Sequence, residues 1–426
     1  MKERVLRLLL VLLLGIVSAS RSYAADAQTP PAAEQKPAEP AEKPLGPGWL
    51  SLECCIGPLD NAIANGKGAL EKAIGINISG YLDTGYTWSS NHPKSPANIS
   101  GRYFDKDYNK VEFNDFHIAL DKPEKDWGVG FHLSGDFGRT GELLREATLW
   151  GKTLHKEPSA ELREAYVTTT IPIGEGLQFK GGLFVTPLGT EILPAPGNYN
   201  DEISRSFAFN LGIPIRHLGG LFTYPVLKTL SLSGGLVTGW DDPRDNNNSP
   251  SFLGGVSFTP SDTFGLASNL IVGPEQPAPT NRVRFTWSNV ATIKPMEPLT
   301  TYLEYTLGYE EKAPTPAGDR NAWWHAFAGV ASWNWTERFN TAFRGELFLD
   351  SQGARTNGSG LFFSNGTIRN AALGEITLAG TYKFTKMLLG RMEFRQDWAN
   401  HPVFKVSSSK ADSHQTTFGL QVIYTF

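Results

Sequence analysis

The sequence predicts an all-β fold, a transmembrane antiparallel β-barrel of about sixteen strands that follows a disordered N-terminal tether. Three observations predict the barrel. Segments of alternating apolar and polar residues follow one another from residue 75 to the C-terminus, the connections between them are alternately short and long, and the last segment ends on an aromatic residue. Together these features are typical of barrels of the bacterial outer membrane.

The alternating segments are each about ten residues long and are separated by turn residues, as expected for strands with one face in lipid and the other in water. Sixteen segments can be assigned: 75–88, 110–121, 127–137, 161–173, 176–187, 213–224, 229–240, 251–259, 263–273, 281–293, 299–310, 321–335, 338–350, 370–384, 387–398 and 414–426. An even number suits a closed antiparallel barrel with both ends on one side. Fourteen strands is the alternative, because the segments at 213–224 and 251–259 alternate weakly.

The connections differ in length according to their place in the order. Those after even-numbered segments are short, such as 122–125 and 385–386, whereas those after odd-numbered segments are mostly long, such as 89–109 and 188–212. Outer-membrane barrels have short periplasmic turns and longer extracellular loops. The pattern therefore indicates a membrane barrel rather than a series of soluble β-sandwiches.

The last segment assigns the two faces of the wall. Its apolar side chains share one face and belong in lipid: Phe418, Leu420, Val422, Tyr424 and Phe426. Tyr424 and the terminal Phe426 resemble the C-terminal signal by which barrels are recognised for insertion. We therefore expect the barrel-assembly machinery and outer-membrane lipid as partners.

The N-terminal residues predict export. Residues 1–24 combine basic residues, a short apolar run and small residues, which is the layout of a cleaved secretory signal peptide. Residues 25–48 are rich in Ala, Pro and Glu and predict a disordered linker. Residues 49–74 form a short periplasmic lead-in, either helical or flexible, in which the pair Cys54–Cys55 has no assigned role.

Composition and motifs exclude several classes of function. The net charge of −4 argues against nucleic-acid binding, and removal of residues 1–24 makes it more negative. No common hydrolase, nucleotide-binding or zinc motif is present, and the histidines are scattered singly. We expect no catalytic residues, no metal site and no cofactor.

Placing the apolar residues in lipid turns charged side chains inward, because a charge on the lipid face near the midplane costs about 2–4 kcal/mol. The inward residues include the following: Asp83, Asp115, His117, His132, Asp136, Arg282, Arg284, Glu304, Arg344, Glu346, Arg391, Glu393, Arg395 and Asp397. They form either salt bridges within the wall or a selectivity lining. A sixteen-stranded barrel is wide enough for an aqueous channel.

The third long loop, 188–212, is stiffened by proline and carries charges of both signs. It either folds into the barrel and narrows it or caps the outside. For the first arrangement we expect a constriction formed by the loop and by basic wall residues: Glu191, Asp201, Glu202, Arg205, Arg282, Arg284, Arg344, Arg391 and Arg395.

Residues 162–219 carry a resemblance to a known family. The stretches EAYV, GLQFKGGLFVTPLGTE and SRS follow one another, and a P…H.G pattern closes the region. In this order they resemble the OmpL-like outer-membrane β-barrel porin family, and the likeness extends over most of the barrel region. The resemblance implies a channel and supplies no catalytic residues.

Barrel width and resemblance together predict a porin, a passive diffusion channel for small hydrophilic solutes. A structural barrel that sheathes a partner, such as a multihaem cytochrome, is the alternative, and a barrel enzyme is a weaker one. A homo-oligomer and a periplasmic partner are both left open.

Overall fold

The computed structural model describes residues 51–94, 98–124, 128–147, 160–195, 199–277, 282–363 and 368–426. The predicted signal peptide and linker, residues 1–48, lie outside the described residues. No helix in these ranges combines the length and the hydropathy needed to cross a bilayer.

Within the described residues, sixteen antiparallel strands form a closed barrel in which each strand pairs with the preceding and the following barrel strand, and the last one, β18, pairs with β1 to close the ring. The strands, numbered in chain order, have these bounds: β1 (Asn77–Ser89), β2 (Val111–Lys122), β3 (Val129–Phe137), β4 (Ala160–Ile171), β5 (Leu177–Val185), β6 (Arg216–Leu227), β7 (Leu230–Val237), β8 (Ser251–Ser261), β9 (Phe264–Pro274), β10 (Val283–Met296), β11 (Leu299–Ala313), β12 (Arg320–Asn334), β13 (Phe339–Asp350), β14 (Ala371–Lys383), β15 (Leu388–Ala399) and β18 (His414–Thr425). The prediction of sixteen strands is confirmed, and the alternative of fourteen is wrong.

The two faces of the wall follow the predicted alternation. On β13, Phe343 and Leu347 are 50% and 41% exposed on the outer surface, whereas Arg344 and Glu346 between them are 1% and 6% exposed. The pairing of β1 with β18 places Tyr81 opposite Thr425 and so sets the register at the seam. Because side chains alternate along a strand, this register places the charged residues inside the ring.

The two ends of the barrel differ, as the connection lengths predict. The long connections hold the remaining regular structure, namely α2 (Arg139–Ala147), α3 (Ala354–Gly358) and a small sheet of β16 (Phe404–Lys405) and β17 (Ala411–Asp412). We call this end the long-loop end and the opposite one the short-turn end.

The lead-in before the barrel is helical, which settles an alternative that the sequence leaves open. A single helix, α1 (Glu53–Ile74), continues through the glycines at 66 and 68. It ends where Gly75 takes a left-handed conformation with φ 68° and its N–H donates to the Glu71 carbonyl. The helix lies at the short-turn end, where the Leu52 N–H donates to the Phe384 carbonyl at 3.2 Å.

Candidate functional site inside the barrel

The connection between β5 and β6 spans residues 186–215. Its described residues, 186–195 and 199–215, lie inside the ring of strands, and we call them the inner segment. Its described atoms form hydrogen bonds with inward-facing side chains on many strands. These partners are Tyr81 on β1, Asn269 on β9, Ser288 on β10, Glu304 on β11, Trp324 on β12, Glu346 on β13 and Glu393 on β15. The loop that the sequence places either inside or outside the barrel is therefore inside.

Wall carboxylates hold the backbone of the inner segment. Three of them accept hydrogen bonds from its N–H groups: Glu304 from Thr190 at 2.8 Å, Glu393 from Ile203 at 2.6 Å and Ser204 at 3.0 Å, and Glu346 from Phe207 and Ala208 at 2.5 Å. The last pair precedes a short π-helical turn, Ala208–Gly212. These hydrogen bonds satisfy backbone donors of the segment inside the barrel, where an unpaired N–H would be costly.

Arg344 on β13 is the centre of the ionic contacts. Its Nε donates to Glu375 at 2.6 Å, its Nη1 donates to Glu191 at 2.9 Å, and Glu202 lies 3.8 Å away. Nη1 also donates to the Ser204 carbonyl at 2.8 Å. The Arg344 guanidinium thus links the barrel wall both to Glu191 and to the stretch from Glu202 to Ser204 of the inner segment.

Two arginines of β15 extend this network. The Nε of Arg395 donates to Asp397 at 2.6 Å, and its Nη1 donates to the Arg205 carbonyl at 2.7 Å. Arg391 donates to Gln421 at 2.9 Å and to the Asn200 carbonyl. The side chains of this network contact one another and are largely withdrawn from water.

Glu202 is a buried acid of the inner segment whose only ion-pair partner within 4.0 Å among the described residues, Arg344, lies 3.8 Å away. Burial raises its pKa to about 8, Arg344 opposes the rise, and the nearby Glu191 and Asp201 add to it. Burial also raises the pKa of Asp201. With a pKa of about 8, Glu202 holds a proton at neutral pH and loses it in alkaline solution.

The structure places Arg282 and Arg284 away from this network. Arg284 pairs with Glu310 at 3.0 Å, and Arg282 pairs with Asp319 at 3.0 Å, both at the long-loop end where β10 begins. Of the basic wall residues expected opposite the loop, only the ones on β13 and β15 contact it. Distance along the strand separates the other two, because each residue of a strand advances it by about 3.3 Å.

The two residues of the predicted insertion signal lie on the outer surface at the seam. The Phe426 ring covers Gly80 on β1, and their backbones exchange hydrogen bonds of 2.9 and 3.0 Å. Tyr424 donates its hydroxyl to Asp60 of α1 at 2.8 Å.

A second charged cluster joins Asp115, His117 and Asp136, which the sequence predicts to face inward, with Arg163, which sequence reasoning missed. Ligand atoms of Asp115, His117 and Asp136 lie within 4.8 Å of one another. The Arg163 guanidinium contacts both aspartates and donates to the Pro194 carbonyl of the inner segment. One guanidinium thus lies between the two carboxyl groups, and the cluster serves as another anchor for the segment. Arg163 lies at a β-bulge, where the register between β3 and β4 shifts and Leu162 and Glu164 face Gly135 and Ser134, so regular alternation from Glu164 and Tyr166 does not identify it as inward.

Sequence reasoning also missed the apolar contacts of the inner segment. Phe207 and Leu211 pack with inward residues of β12, β13 and β14, including Trp324. Leu188 and Ile213 pack on the opposite side with inward residues of β5, β7, β8 and β9. The inner segment is therefore packed against both sides of the barrel. Apolar residues in the inward rows, such as Leu253 and Ile271, were the available signal.

Toward the short-turn end, part of the wall carries smaller inward side chains than at the level of the inner segment. The inward residues of β7, β8 and β9 are small there and are exposed or half-buried: Ser231, Ser233, Gly255, Ser257, Thr259 and Ala267. This part of the lumen is open and polar.

Comparison with known proteins agrees with this architecture. Residues 75–426 match the family described as beta-barrel porin-2, OmpL-like. No curated protein sequence matches the chain.

Three solved structures show the same fold at low sequence identity. OprB of Pseudomonas putida at high pH is 10% identical with a TM-score of 0.56, and the match covers 85% of this chain and 97% of the other. The anion-selective porin of Comamonas acidovorans is 10% identical with a TM-score of 0.55, over 82% and 99%. The outer-membrane channel DcaP of Acinetobacter baumannii is 12% identical with a TM-score of 0.53, over 82% and 97%.

Proposed function

This chain belongs to the beta-barrel porin-2, OmpL-like family, and from that premise we propose that it is a porin of the bacterial outer membrane, a passive diffusion channel for small hydrophilic solutes. It would reach the membrane through the predicted signal peptide, residues 1–24, and insert with the help of the assembly machinery.

The observation that carries the proposal is the position of the inner segment. A closed barrel of sixteen strands is wide, and a segment held inside it narrows the passage. The segment presents the Glu191 carboxylate to Arg344 of the wall, 2.9 Å away. Opposed charges in a narrow passage of low dielectric set a field that favours polar solutes over apolar ones.

The constriction would lie at the level of the inner segment. On the short-turn side of it, the small polar residues of β7, β8 and β9 give solutes an aqueous vestibule. We propose that solutes pass along the edge of the segment. Its packing against both sides of the barrel predicts a small conductance for the native protein.

The same geometry favours a porin over a barrel that sheathes a partner. A partner such as a multihaem cytochrome needs the lumen, and here the inner segment occupies part of it, anchored at Glu304, Glu346 and Glu393. We propose no enzymatic activity for this site, because its charged residues are engaged in anchoring the segment.

Planar-bilayer recording tests the proposal. Purified protein, checked for the folded, heat-modifiable form, is expected to give stepwise currents of small unit size in potassium chloride. Reversal potentials under a salt gradient then give its ion preference. A folded preparation that inserts into the bilayer and gives no steps would contradict a channel function.

A further inference from the structure

Helix α1 contacts the barrel through its charged side. Asp60 accepts a hydrogen bond from the Tyr424 hydroxyl at 2.8 Å, and Glu71 accepts one from the Ile78 N–H at 2.7 Å. Glu53 lies 3.5 Å from the Arg338 guanidinium. At about 100° per residue these three acids share one side of the helix.

The apolar side of α1 is exposed. Leu52, Leu59, Leu70 and Ile74 are 36%, 55%, 50% and 48% exposed, and the same helical geometry places them together on a second side. An amphipathic helix of a soluble protein normally buries its apolar side and exposes its charged side. The arrangement in α1 is the reverse, and large exposed apolar patches usually mark an interaction surface.

A third side of the helix is polar. Asn61, Asn65 and Lys72 are exposed and lie away from both the acidic side and the apolar side. The helix therefore has three sectors, one against the barrel, one apolar and one polar. A helix at the rim of a membrane barrel meets three environments that match them, namely the wall, the bilayer and the water below it.

The position of α1 identifies the apolar environment. Tyr424, which binds Asp60, belongs to the same outward row of β18 as Phe418, Leu420 and Val422, which are 39%, 43% and 50% exposed on the lipid face. Tyrosine is enriched where the lipid face meets water. The helix is therefore outside the ring, at the edge of the lipid-facing surface, and its apolar sector continues that surface.

We propose that α1 is an interfacial helix whose apolar sector lies in the periplasmic leaflet of the outer membrane, with phospholipid as its partner. Helices with one apolar and one polar side bind in the plane of such interfaces. This inference rests on the membrane location given in the proposed function. It assigns to residues 52–74 a lipid-binding role in addition to their position before the barrel.

Spin labelling of the full-length mature protein tests the helix. Cysteines replace Leu59 or Leu70 in the apolar sector, and Asn61 or Asn65 as matched controls in the polar sector, each in a Cys54→Ser/Cys55→Ser background. The barrel is reconstituted in vesicles of phosphatidylethanolamine and phosphatidylglycerol. Collision rates with oxygen, which concentrates in lipid, and with a water-soluble nickel chelate are then compared.

Labels at 59 and 70 are expected to collide several-fold more with oxygen than with nickel, and labels at 61 and 65 should show the opposite. High nickel access at 59 and 70 would overturn the proposal. Low access to both probes there would also overturn it, because a second copy of the chain would then cover the sector. A label in a Leu420→Cys variant reports on the barrel itself, and high nickel access at 420 would contradict the membrane barrel together with this inference.

Discussion

Arg344 joins the inner segment to the barrel wall, since its Nη1 donates to Glu191 of the segment at 2.9 Å while its Nε donates to Glu375 of β14 at 2.6 Å. Arg344 and Glu375 are almost completely buried. A buried carboxylate is costly unless it is paired. The pairing therefore makes this guanidinium group one of the main anchors of the segment.

Replacement of Arg344 by methionine should destabilise the barrel strongly. It removes the guanidinium that pairs with buried Glu191 and Glu375 and leaves Glu375 with the more distant Arg395 at 3.6 Å. Loss of one partner of a buried pair costs about 3–5 kcal/mol. The free energy of unfolding can be measured by urea titration in detergent. Arg282→Met is the matched control, because its pair with Asp319 is exposed and such pairs contribute about 0–1 kcal/mol. Equal losses in the two variants would contradict the role of Arg344.

Alkaline pH should loosen the inner segment through Glu202. Its pKa is about 8 in the folded chain, against an ordinary value of 4.5. The folded state therefore binds the proton more tightly, so the contribution to stability is complete below about pH 4.5 and is lost as the pH rises through about 8. Hydrogen exchange in residues 199–215, corrected for the intrinsic rate, should increase from pH 6 to pH 9.

In a Glu202→Gln variant this increase should be much smaller, because the amide cannot ionise. Asp319→Asn at the long-loop end is the control and should keep the native response. An unchanged pH dependence in Glu202→Gln would show that another group controls the segment.

Closure of the barrel should depend on the absence of a side chain at Gly80. A Cβ there would lie 2.4 Å from the Phe426 ring and 2.5 Å from the His117 carbonyl oxygen. Gly80→Ala should therefore lower the folded, heat-modifiable fraction, with overpacking of about 1–3 kcal/mol. At Gly345, also on the outer surface, the nearest atom is 3.9 Å from the added Cβ, so Gly345→Ala should fold normally.

Deletion of Phe426 should also reduce the folded, heat-modifiable fraction. Normal assembly of both Gly80→Ala and the deletion would contradict the importance of the contact between β1 and β18.

The two faces of β15 should react differently with a hydrophilic thiol reagent. Met392 and Phe394 are 57% and 46% exposed on the outer face, whereas Glu393 and Arg395 face inward beneath the inner segment. Single cysteines in a Cys54→Ser/Cys55→Ser background should be unreactive at 392 and 394 in membranes, because lipid covers them. At 393 and 395 labelling should be slow, and shortening of the segment should accelerate it. Faster labelling at 392 and 394 would mean that the register is shifted by one residue.

The strands were predictable because their signal is local. Alternation along β13 and β15 identifies an inward row with Arg344, Glu393 and Arg395, and the difference between short and long connections identifies the two ends. A residue's face depends only on its parity within a strand once one face is known to meet lipid. That is why inward residues could be named without a structure.

The partners of those inward residues were not predictable in the same way. Whether 188–212 enters the barrel depends on contacts with residues more than a hundred positions away, such as Thr190 with Glu304 and Phe207 with Glu346. Arg282 and Arg284 share the inward face with Arg344, yet their height along the barrel gives them other partners. The alternation in the sequence does not tell how far along the barrel axis a wall residue lies from the inner segment.

The most direct test of the channel and its constriction is the single-channel conductance of a variant in which residues 190–202 are shortened, recorded beside the native protein in the same bilayer. The shortened segment loses Glu191 and Glu202, the partners of Arg344. It therefore fills less of the barrel, and the passage becomes wider. A conductance several-fold above that of the native protein is the predicted result. Equal conductance and equal ion selectivity in the two proteins would contradict the account, because the inner segment would then not limit the passage.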